Sequence, residues 1–443
     1  MTTSLSQRLL SLREGNGLGA KLIRGGLGLG GLKLISLPIG LATSVLMARG
    51  LGVEGYGTYS FVLALVSLFA LPAYAGLPAL LVREVSSYHH SETFGLLNGL
   101  IKRAQQLALI MAIPIMIGVL GLAVWKANGG FNERWALMAM AAFIIPFLAM
   151  IQVRTAVIQG FDQVTKSQIP GLIIQPSFFL LIGLVLFFSD SLNPVSALVS
   201  QMFTITIGLF FVSLIFQRQT ISFKATPLIY NDRAWKRSLL PFSAIAGVSY
   251  LSVQLLIPLV GLLASDSEVA YFKVAFSIAM LVSAPLAIVE TTIHPHVTQV
   301  FASGDKKKLF SMVSLAGIAA LLFSLPLALI FIIFGQEILE TFYGLDYSEA
   351  YLPLVIIVTG FVIVNLIGPS MLLLHATNYE KDALIVSTGG AILTLTLCVI
   401  WIPEHGATGA AFAFTISKVT RALMFRIWAQ IRITKTFREG PRG

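Results

Sequence analysis

The stretch LALIMAIPIMIGVLGLAVW at residues 107–125 is apolar on every side of a helix. A helix needs roughly 20 such residues to cross a hydrocarbon core of roughly 30 Å. A strand of a membrane barrel would instead alternate apolar and polar residues in short segments. The stretch therefore predicts a membrane-spanning helix, and its recurrence along the chain predicts an all-α, polytopic membrane protein.

The composition of the whole chain agrees with this prediction. Of its 443 residues, 56% are hydrophobic and 11% are charged, against roughly 25% charged in an average soluble domain. Lipid must therefore cover most of the surface. The first twenty residues lack the apolar core and cleavage site of a removable signal peptide, so we expect the first span to act as the anchor. Cys398 is the only cysteine, and neither a disulfide nor a cysteine-based metal cluster is expected.

Hydropathy along the chain predicts twelve transmembrane helices in two sets of six. The first set covers approximately residues 20–48, 57–82, 97–124, 133–158, 163–188 and 193–217. The second set covers approximately residues 238–264, 268–297, 306–334, 349–374, 379–402 and 405–430. We therefore expect an N-lobe over 1–217, a cytoplasmic interlobe linker over 218–237, and a C-lobe over 238–443 that ends in a short cytoplasmic tail.

The basic residues predict the orientation of the chain. Cytoplasmic loops of membrane proteins carry an excess of lysine and arginine. All but four of the 30 basic residues fall on one side of the predicted spans, the exceptions being Arg49, Lys126, Arg134 and Lys273. We therefore expect a bacterial inner-membrane protein with both termini in the cytoplasm. The five tryptophans, Trp125, Trp135, Trp235, Trp401 and Trp428, fall near predicted helix ends, and WKRSLL at 235–240 predicts a short amphipathic helix on the membrane surface.

A weak internal repeat supports the division into two halves. VIQGFDQ at 157–163 is echoed by HATNYEK at 375–381, each at the end of the fourth helix of its set. Pro72 and Pro285 occupy corresponding places on the second helix of each set. Two six-helix repeats of equal orientation predict a transporter plan with the substrate site between the halves.

Five segments in order resemble the polysaccharide-transport branch of the multidrug, oligosaccharidyl-lipid and polysaccharide exporter superfamily, which includes O-antigen flippases. They are ARGLGVEGYGTYSF at 48–61, GLPALLVREV at 76–85, VIQGFDQVTKSQI at 157–169, WKRSLLPF at 235–242 and FYGLDYSEAYLPL at 342–354. The resemblance implies a V-shaped pair of lobes that carries an undecaprenyl-pyrophosphate-linked oligosaccharide by alternating access. It also implies a monomer in contact with membrane lipid and with polysaccharide polymerase machinery. Gln254 stands where many relatives have an acidic residue, so ion coupling is not expected there.

Three basic residues fall near the middle of predicted spans: Lys33, Lys418 and Arg421. An ionisable group within a span is costly unless it faces a cavity or a partner. Lys418 and Arg421 are three residues apart and share one helix face. Lysine and arginine form charge-assisted hydrogen bonds with the pyrophosphate that all such lipids share. We therefore expect these cations to line the cavity, although snorkelling to the headgroups would also account for them.

An acidic residue and a histidine one turn later are the candidates for proton coupling. Glu290 lies well inside the eighth predicted span, with His294 on the same face. A static ion pair with a neighbouring cation such as Arg421 would explain Glu290 equally well. Coupling to either H⁺ or Na⁺ stays open at this point.

Six further cations are weaker candidates. Four are expected at cytoplasmic helix ends, where they could meet the entering pyrophosphate or simply follow the positive-inside bias: Arg24, Lys102, Arg103 and Arg154. Arg49 and Lys273 are expected at the opposite side, where they could assist release or pair with Glu54 and Glu268. Glycan contacts are expected from polar side chains within the spans: Gln105, Gln152, Gln175 and Asn365.

Other chemistries lack their motifs. GLGLGG at 26–31 follows no strand, and GNGLGAKL at 15–22 has alanine where a P-loop needs glycine, so no nucleotide site is expected. His294 and His296 have no cysteine or carboxylate cluster nearby, and no metal or other cofactor is expected.

The sequence thus favours a lipid-linked oligosaccharide flippase and not an enzyme. A cation-coupled multidrug exporter of the same superfamily is the alternative, for which we would expect an acidic residue within the first six spans. A membrane glycosyltransferase or polymerase is disfavoured, because its acid and base residues would need larger loops than this chain has.

Overall fold

A computed structural model describes residues 18–127, 133–223, 226–303, 305–376 and 379–439. These residues fold into helices joined by short turns, and none of them forms a strand, which confirms the predicted all-α class. The first half of the chain contains α1 Leu18–Tyr74, α2 Leu77–His90, α3 Phe94–Ala127, α4 Glu133–Ala142, α5 Ile144–Gly160, α6 Val164–Ile169, a π-helix Pro170–Ile174, α7 Gln175–Phe188, α8 Pro194–Thr220 and a 3₁₀ turn Ile221–Phe223.

The second half begins at Asp232, inside the segment predicted as the linker. It contains α9 Asp232–Gln254, α10 Leu256–Leu263, α11 Asp266–Ala302, α12 Lys306–Ile333, α13 Gly335–Phe342, a 3₁₀ helix Leu345–Ala350, α14 Tyr351–Ile367, α15 Ser370–Ala376 and α16 Glu380–Glu439. Within the described residues, eight helices are long and apolar enough to cross a membrane, or nine if the bent pair α4 and α5 counts as one span.

The two longest helices are each broken by a glycine. Gly52 in α1 has φ 69° and Gly406 in α16 has φ 51°, values that glycine adopts without steric cost. At 57 residues α1 would measure about 85 Å if straight, far more than one membrane thickness. If the chain reverses its direction at each of these glycines, α1 and α16 each cross the membrane twice. The twelve spans and the two lobes stay predictions.

Several helix bounds differ from those predicted by hydropathy. The span predicted over 57–82 ends at Tyr74, because Gly76 adopts φ 76° and starts α2. The span predicted over 349–374 is split by Gly368 at φ 79°. The helix α13 and the 3₁₀ helix after it were missed, since each is shorter than ten residues and carries acidic side chains that lower the local hydropathy.

The linker packs against the first half of the chain. The segment WKRSLL does not form a separate short helix. It belongs to the first turns of α9, which begins at Asp232. Trp235, near the start of this helix, is 5% exposed and donates a hydrogen bond to the Tyr88 hydroxyl at 3.1 Å, so its ring packs against the first half of the chain. The Ile229 amide donates to the Gly95 carbonyl at 3.0 Å. We call this end of the bundle the linker end.

The two halves also meet at the opposite end, which we call the Gly52 end. There the Thr58 hydroxyl donates to the Asp266 carboxylate at 2.7 Å, and the Tyr347 hydroxyl donates to the Ala48 carbonyl at 3.0 Å. Along the bundle, α11 packs against α1 and against α12 and α14 of its own half. The position of α11 between the halves places its side chains in the cavities described below.

Candidate functional site

A cavity of about 240 Å³ lies among α11, α14, α15 and α16 in the second half of the chain. Its charged lining residues are Glu290, Lys418 and Arg421, three of the residues singled out from the sequence. We call it the cationic cavity. The structure thus brings together side chains that are more than 120 positions apart in the chain.

The two cations reach this cavity from one face of α16. The Lys418 ammonium lies 4.9 Å from the centre of the Phe361 ring and 5.3 Å from that of Phe414. Arg421, one turn further, packs its aliphatic chain beside Gly390, where an added Cβ would lie 3.0 Å from the arginine Cδ. Aromatic faces stabilise a desolvated cation but do not neutralise it. Both cations therefore keep the capacity to bind an anion.

Glu290 is the acidic residue of this cavity, and Lys418 and Lys33 are the cations whose charges act on its carboxylate. Lys33 belongs to α1 in the first half, where it is exposed and does not line the cationic cavity, unlike the other two cations predicted to face it. The alternative of a static ion pair between Glu290 and a cation such as Arg421 is not seen: the described ion pairs within 4.0 Å include none to Glu290. The His294 side chain lies outside the described side chains.

Polar atoms without partners also face the cationic cavity. Asn365 Oδ1 and Ser370 Oγ are buried and accept or donate no hydrogen bond within the described part of the chain. The other polar atom of this side chain, Asn365 Nδ2, is paired, because it donates a hydrogen bond to the Val282 carbonyl at 3.0 Å. This carbonyl lies close to Pro285, whose missing N–H interrupts the backbone hydrogen bonds of the helix. Buried polar groups are normally paired, so these two atoms suit a ligand or water.

The cations expected at the linker end lie away from this cavity. Arg154 donates to the Ser213 hydroxyl and lies 5.7 Å from the Phe216 ring within the first half. Arg103 forms an ion pair with Asp232, its Nε donating at 2.9 Å, and its guanidinium lowers the pKa of that carboxyl. Lys102 is exposed. The Arg24 side chain, like Asn378 of the repeat, lies outside the described part of the structure.

The two cations expected at the opposite side pair differently from the predictions. Arg49 donates to the Thr341 carbonyl at 2.5 Å and so joins the halves; no described ion pair links it to Glu54. Glu268 accepts a hydrogen bond from the Ala407 amide at 2.6 Å, at the break in α16, and no described ion pair links it to Lys273. Lys273 instead lines a second cavity.

This second cavity measures about 410 Å³ and lies between the halves, among α1, α7, α8, α9, α10 and α11. We call it the glutamine cavity, because Gln175, Gln201 and Gln254 line it together with hydroxyl groups and Lys273. Sequence reasoning named Gln175 as a glycan contact but not the other two. Gln201 belongs to α8 and Gln254 to α9, and only the packing of six helices brings them to one cavity.

The comparison with known families decides the identity of the chain. Residues 22–301 match the family model described as polysaccharide biosynthesis protein, which is more than half of the chain. The chain belongs to the polysaccharide biosynthesis protein family. Residues 243–400 of this polysaccharide biosynthesis protein also match a model described as MatE. The superfamily resemblance stated from its five segments is therefore confirmed, and the chain is a multi-pass membrane transporter.

Relatives agree with this assignment. A probable low-salt glycan biosynthesis flippase of Haloferax volcanii is 24% identical over 379 residues, which cover 84% of this chain and 75% of the relative. An inward-facing multidrug resistance MATE family transporter of the MOP superfamily superposes with a TM-score of 0.72 at 14% identity, covering 92% of this chain and 96% of that one. The lipid II flippase MurJ, in an inward closed conformation, gives 0.70 at 15% identity, covering 93% and 92%. At such identities the two solved structures establish the fold.

Proposed function

We propose that the chain flips undecaprenyl-pyrophosphate-linked oligosaccharide units, of the O-antigen or exopolysaccharide type, from the cytoplasmic to the periplasmic leaflet. The polyprenyl tail stays in lipid while the headgroup passes between the halves. The glycan flippase among the relatives supports the substrate class. The cationic cavity supports the recognition of the pyrophosphate.

The charge balance of that cavity carries the proposal. Lys418 and Arg421 supply two positive charges to its lining and Glu290 supplies one negative charge, which leaves a formal excess of one. The charge of Lys33 acts on Glu290 from outside this lining. A pyrophosphate diester carries about two negative charges and can accept charge-assisted hydrogen bonds from both types of cation. The pyrophosphate would thus neutralise a site that the protein leaves positive.

Contacts at the Gly52 end support alternating access. Arg49, Thr58 and Tyr347 each form a hydrogen bond across the two halves there. With the orientation predicted from the basic residues, this closed end faces the periplasm, and the headgroup would enter from the cytoplasmic leaflet. Breaking these contacts would then expose the site to the other side.

Glu290 is the proposed coupling residue. Its carboxylate competes with the substrate for the same cations, so binding of pyrophosphate would remove its partners. A carboxylate that loses its cations in a site of low dielectric constant binds a proton more readily. Proton uptake at Glu290 would therefore follow substrate entry, which links transport to the proton gradient.

The alternative of a cation-coupled multidrug exporter has less support. Among the described residues, those that line the glutamine cavity include Lys273 and no acidic side chain. A cationic drug would be repelled at that position, and Glu290 in the other cavity already faces cations. The glycosyltransferase alternative has no support from the comparisons, whose named functions are those of transporters.

A leaflet-translocation assay tests the proposal. We expect Lys418→Gln and Arg421→Gln, each reconstituted in proteoliposomes, to lower the flipping of a polyprenyl-pyrophosphate-linked oligosaccharide about tenfold to a hundredfold, the effect of losing one charged hydrogen bond. Arg426→Gln is the matched control, because this arginine of the same helix donates to Ser314 at 2.8 Å and does not line the cavity. Normal flipping by both cavity variants, or an equal loss in the control, would refute the role of the cationic cavity.

A further inference from the structure

The glutamine cavity has a chemistry unlike that of the cationic cavity. It is lined by three carboxamides, by the phenols of Tyr56 and Tyr59, and by several serine and threonine hydroxyls. Carboxamides both donate and accept hydrogen bonds, as sugar hydroxyls do, and aromatic rings offer an apolar face. This combination is suited to a hydroxyl-rich ligand and offers little to a purely apolar one.

The carboxamides of this cavity are only loosely paired. The Tyr59 hydroxyl donates to Gln201 Oε1 at 3.3 Å, and Gln254 Nε2 donates to the Tyr250 hydroxyl at 3.4 Å, both long for hydrogen bonds. No hydrogen bond of the Gln175 side chain is recorded within the described residues. Such groups have hydrogen-bonding capacity to spare for a ligand.

Lys273 is the one charged residue that lines the glutamine cavity in the described part of the chain. It lies inside α11, within a segment apolar enough to span a membrane. None of the described ion pairs includes it. An unpaired ammonium within a span is costly and normally faces a partner of opposite charge. The cavity therefore holds a cation without an anion.

The two cavities lie in series along one helix. Their nearest lining residues on α11 are Ser277 and Ser283, six positions or about 9 Å apart along the axis. The glutamine cavity is the one nearer the Gly52 end. In a lipid-linked oligosaccharide the pyrophosphate and the glycan are likewise in series. A lipid anchored in the leaflet at the linker end would place its pyrophosphate first and its glycan further in.

We propose that the glutamine cavity is the glycan subsite and that Lys273 selects a saccharide bearing a carboxylate, such as a uronic acid. This inference rests on the proposed flippase function and specifies its substrate. The carboxamides and phenols bind the sugar hydroxyls, and the Lys273 ammonium binds the acidic group by a charge-assisted hydrogen bond.

Two matched probes test the subsite. One is a polyprenyl-pyrophosphate trisaccharide that ends in glucuronic acid, and the other ends in glucose. We expect Lys273→Gln to lower flipping of the acidic probe at least about tenfold more than flipping of the neutral probe, as for the loss of one charged hydrogen bond. Lys273→Arg should retain flipping of the acidic probe. The control Lys126→Gln removes an exposed lysine beside Trp125 and should change the flipping of neither probe.

The outcomes separate the subsite from the general function. Equal losses for the two probes, or no loss for the acidic one, would overturn the proposed selection by Lys273. If the wild-type protein flips neither probe, the flippase function fails, and the subsite is then judged by binding of the free trisaccharides to the purified protein. In that measurement, weaker binding of the acidic trisaccharide by Lys273→Gln supports the subsite, and unchanged binding overturns it.

Discussion

Removal of the Asp266 carboxylate is expected to loosen the two halves at the Gly52 end. One of its oxygens accepts the Thr58 hydroxyl at 2.7 Å, and the other lies 3.5 Å from the Arg134 guanidinium. Thr58 and Arg134 belong to the first half and Asp266 to the second. The Arg134 and Asp266 side chains are 22% and 23% exposed, so solvent screens this pair only in part.

The magnitude follows from these contacts. A hydrogen bond to a charged group contributes about 1.5–3 kcal/mol, and a partly exposed ion pair adds about 0–1 kcal/mol. In Asp266→Ala, Arg134 keeps its hydrogen bond to the Gly261 carbonyl and its position 3.6 Å from the centre of the Phe61 ring. We therefore expect Asp266→Ala to destabilise the closed arrangement by about 2 kcal/mol relative to the open one. This change raises the ratio of open to closed molecules about 30-fold.

Spin labels on opposite halves measure the opening. Glu54 and Glu349 are exposed near the Gly52 end and can be replaced by cysteine in a Cys398→Ser background. Double electron–electron resonance then gives the distribution of distances between the labels. In Asp266→Ala we expect a new population at longer distance.

The matched control lies two residues away on the same helix. Glu268→Ala also removes an acid from the first turn of α11, but Glu268 bonds Ala407 within the second half. An unchanged distance distribution in Asp266→Ala, or the same shift in Glu268→Ala, would refute the assignment of the closing contact to Asp266.

Two further predictions concern the same end and the linker. Gly57→Ala should open the Gly52 end as well, because an added Cβ would lie 1.8 Å from the Asp266 carbonyl oxygen; an unchanged distance between the same spin labels would contradict this. The Arg103 guanidinium lowers the pKa of Asp232 below its ordinary value of 3.8, so this contact stabilises the linker above about pH 4 and is lost as the pH falls through the lowered pKa. Trp235 fluorescence should change in that acid range in the wild-type protein and lose this transition in Asp232→Asn.

The sequence predicted the fold class and the members of the cationic cavity for a physical reason. In apolar spans an ionisable residue is conspicuous, and the helical period places residues three or four apart on one face. Lys418 and Arg421 were found in this way, and the structure places both beside Glu290 in one cavity. The role of these residues in binding pyrophosphate remains a prediction.

The contacts between the halves could not be read from the sequence. Thr58 and Asp266 are 208 positions apart, and neither belongs to a motif that names its partner. Charge alone suggested that Arg49 and Lys273 pair with nearby acids, yet Arg49 bonds a backbone carbonyl of the other half. Hydropathy likewise predicts that a stretch is buried in lipid but does not predict which polar side chains converge between helices, as in the glutamine cavity.

The helix α11 connects the parts of the proposed transport path. Asp266 and Lys273 are seven residues apart, or about two turns, and so lie on nearly the same face. Glu290 follows 17 residues later and is turned about 100° around the axis, which explains why it faces a different cavity. Pro285 lies between Lys273 and Glu290 and removes a hydrogen bond from the helix. A change of bend at Pro285 would alter the angle between the helix segment at the cationic cavity and the segment at the Gly52 end. A movement of Glu290 caused by a bound anion would in this way be transmitted to the Asp266 contact through a single helix.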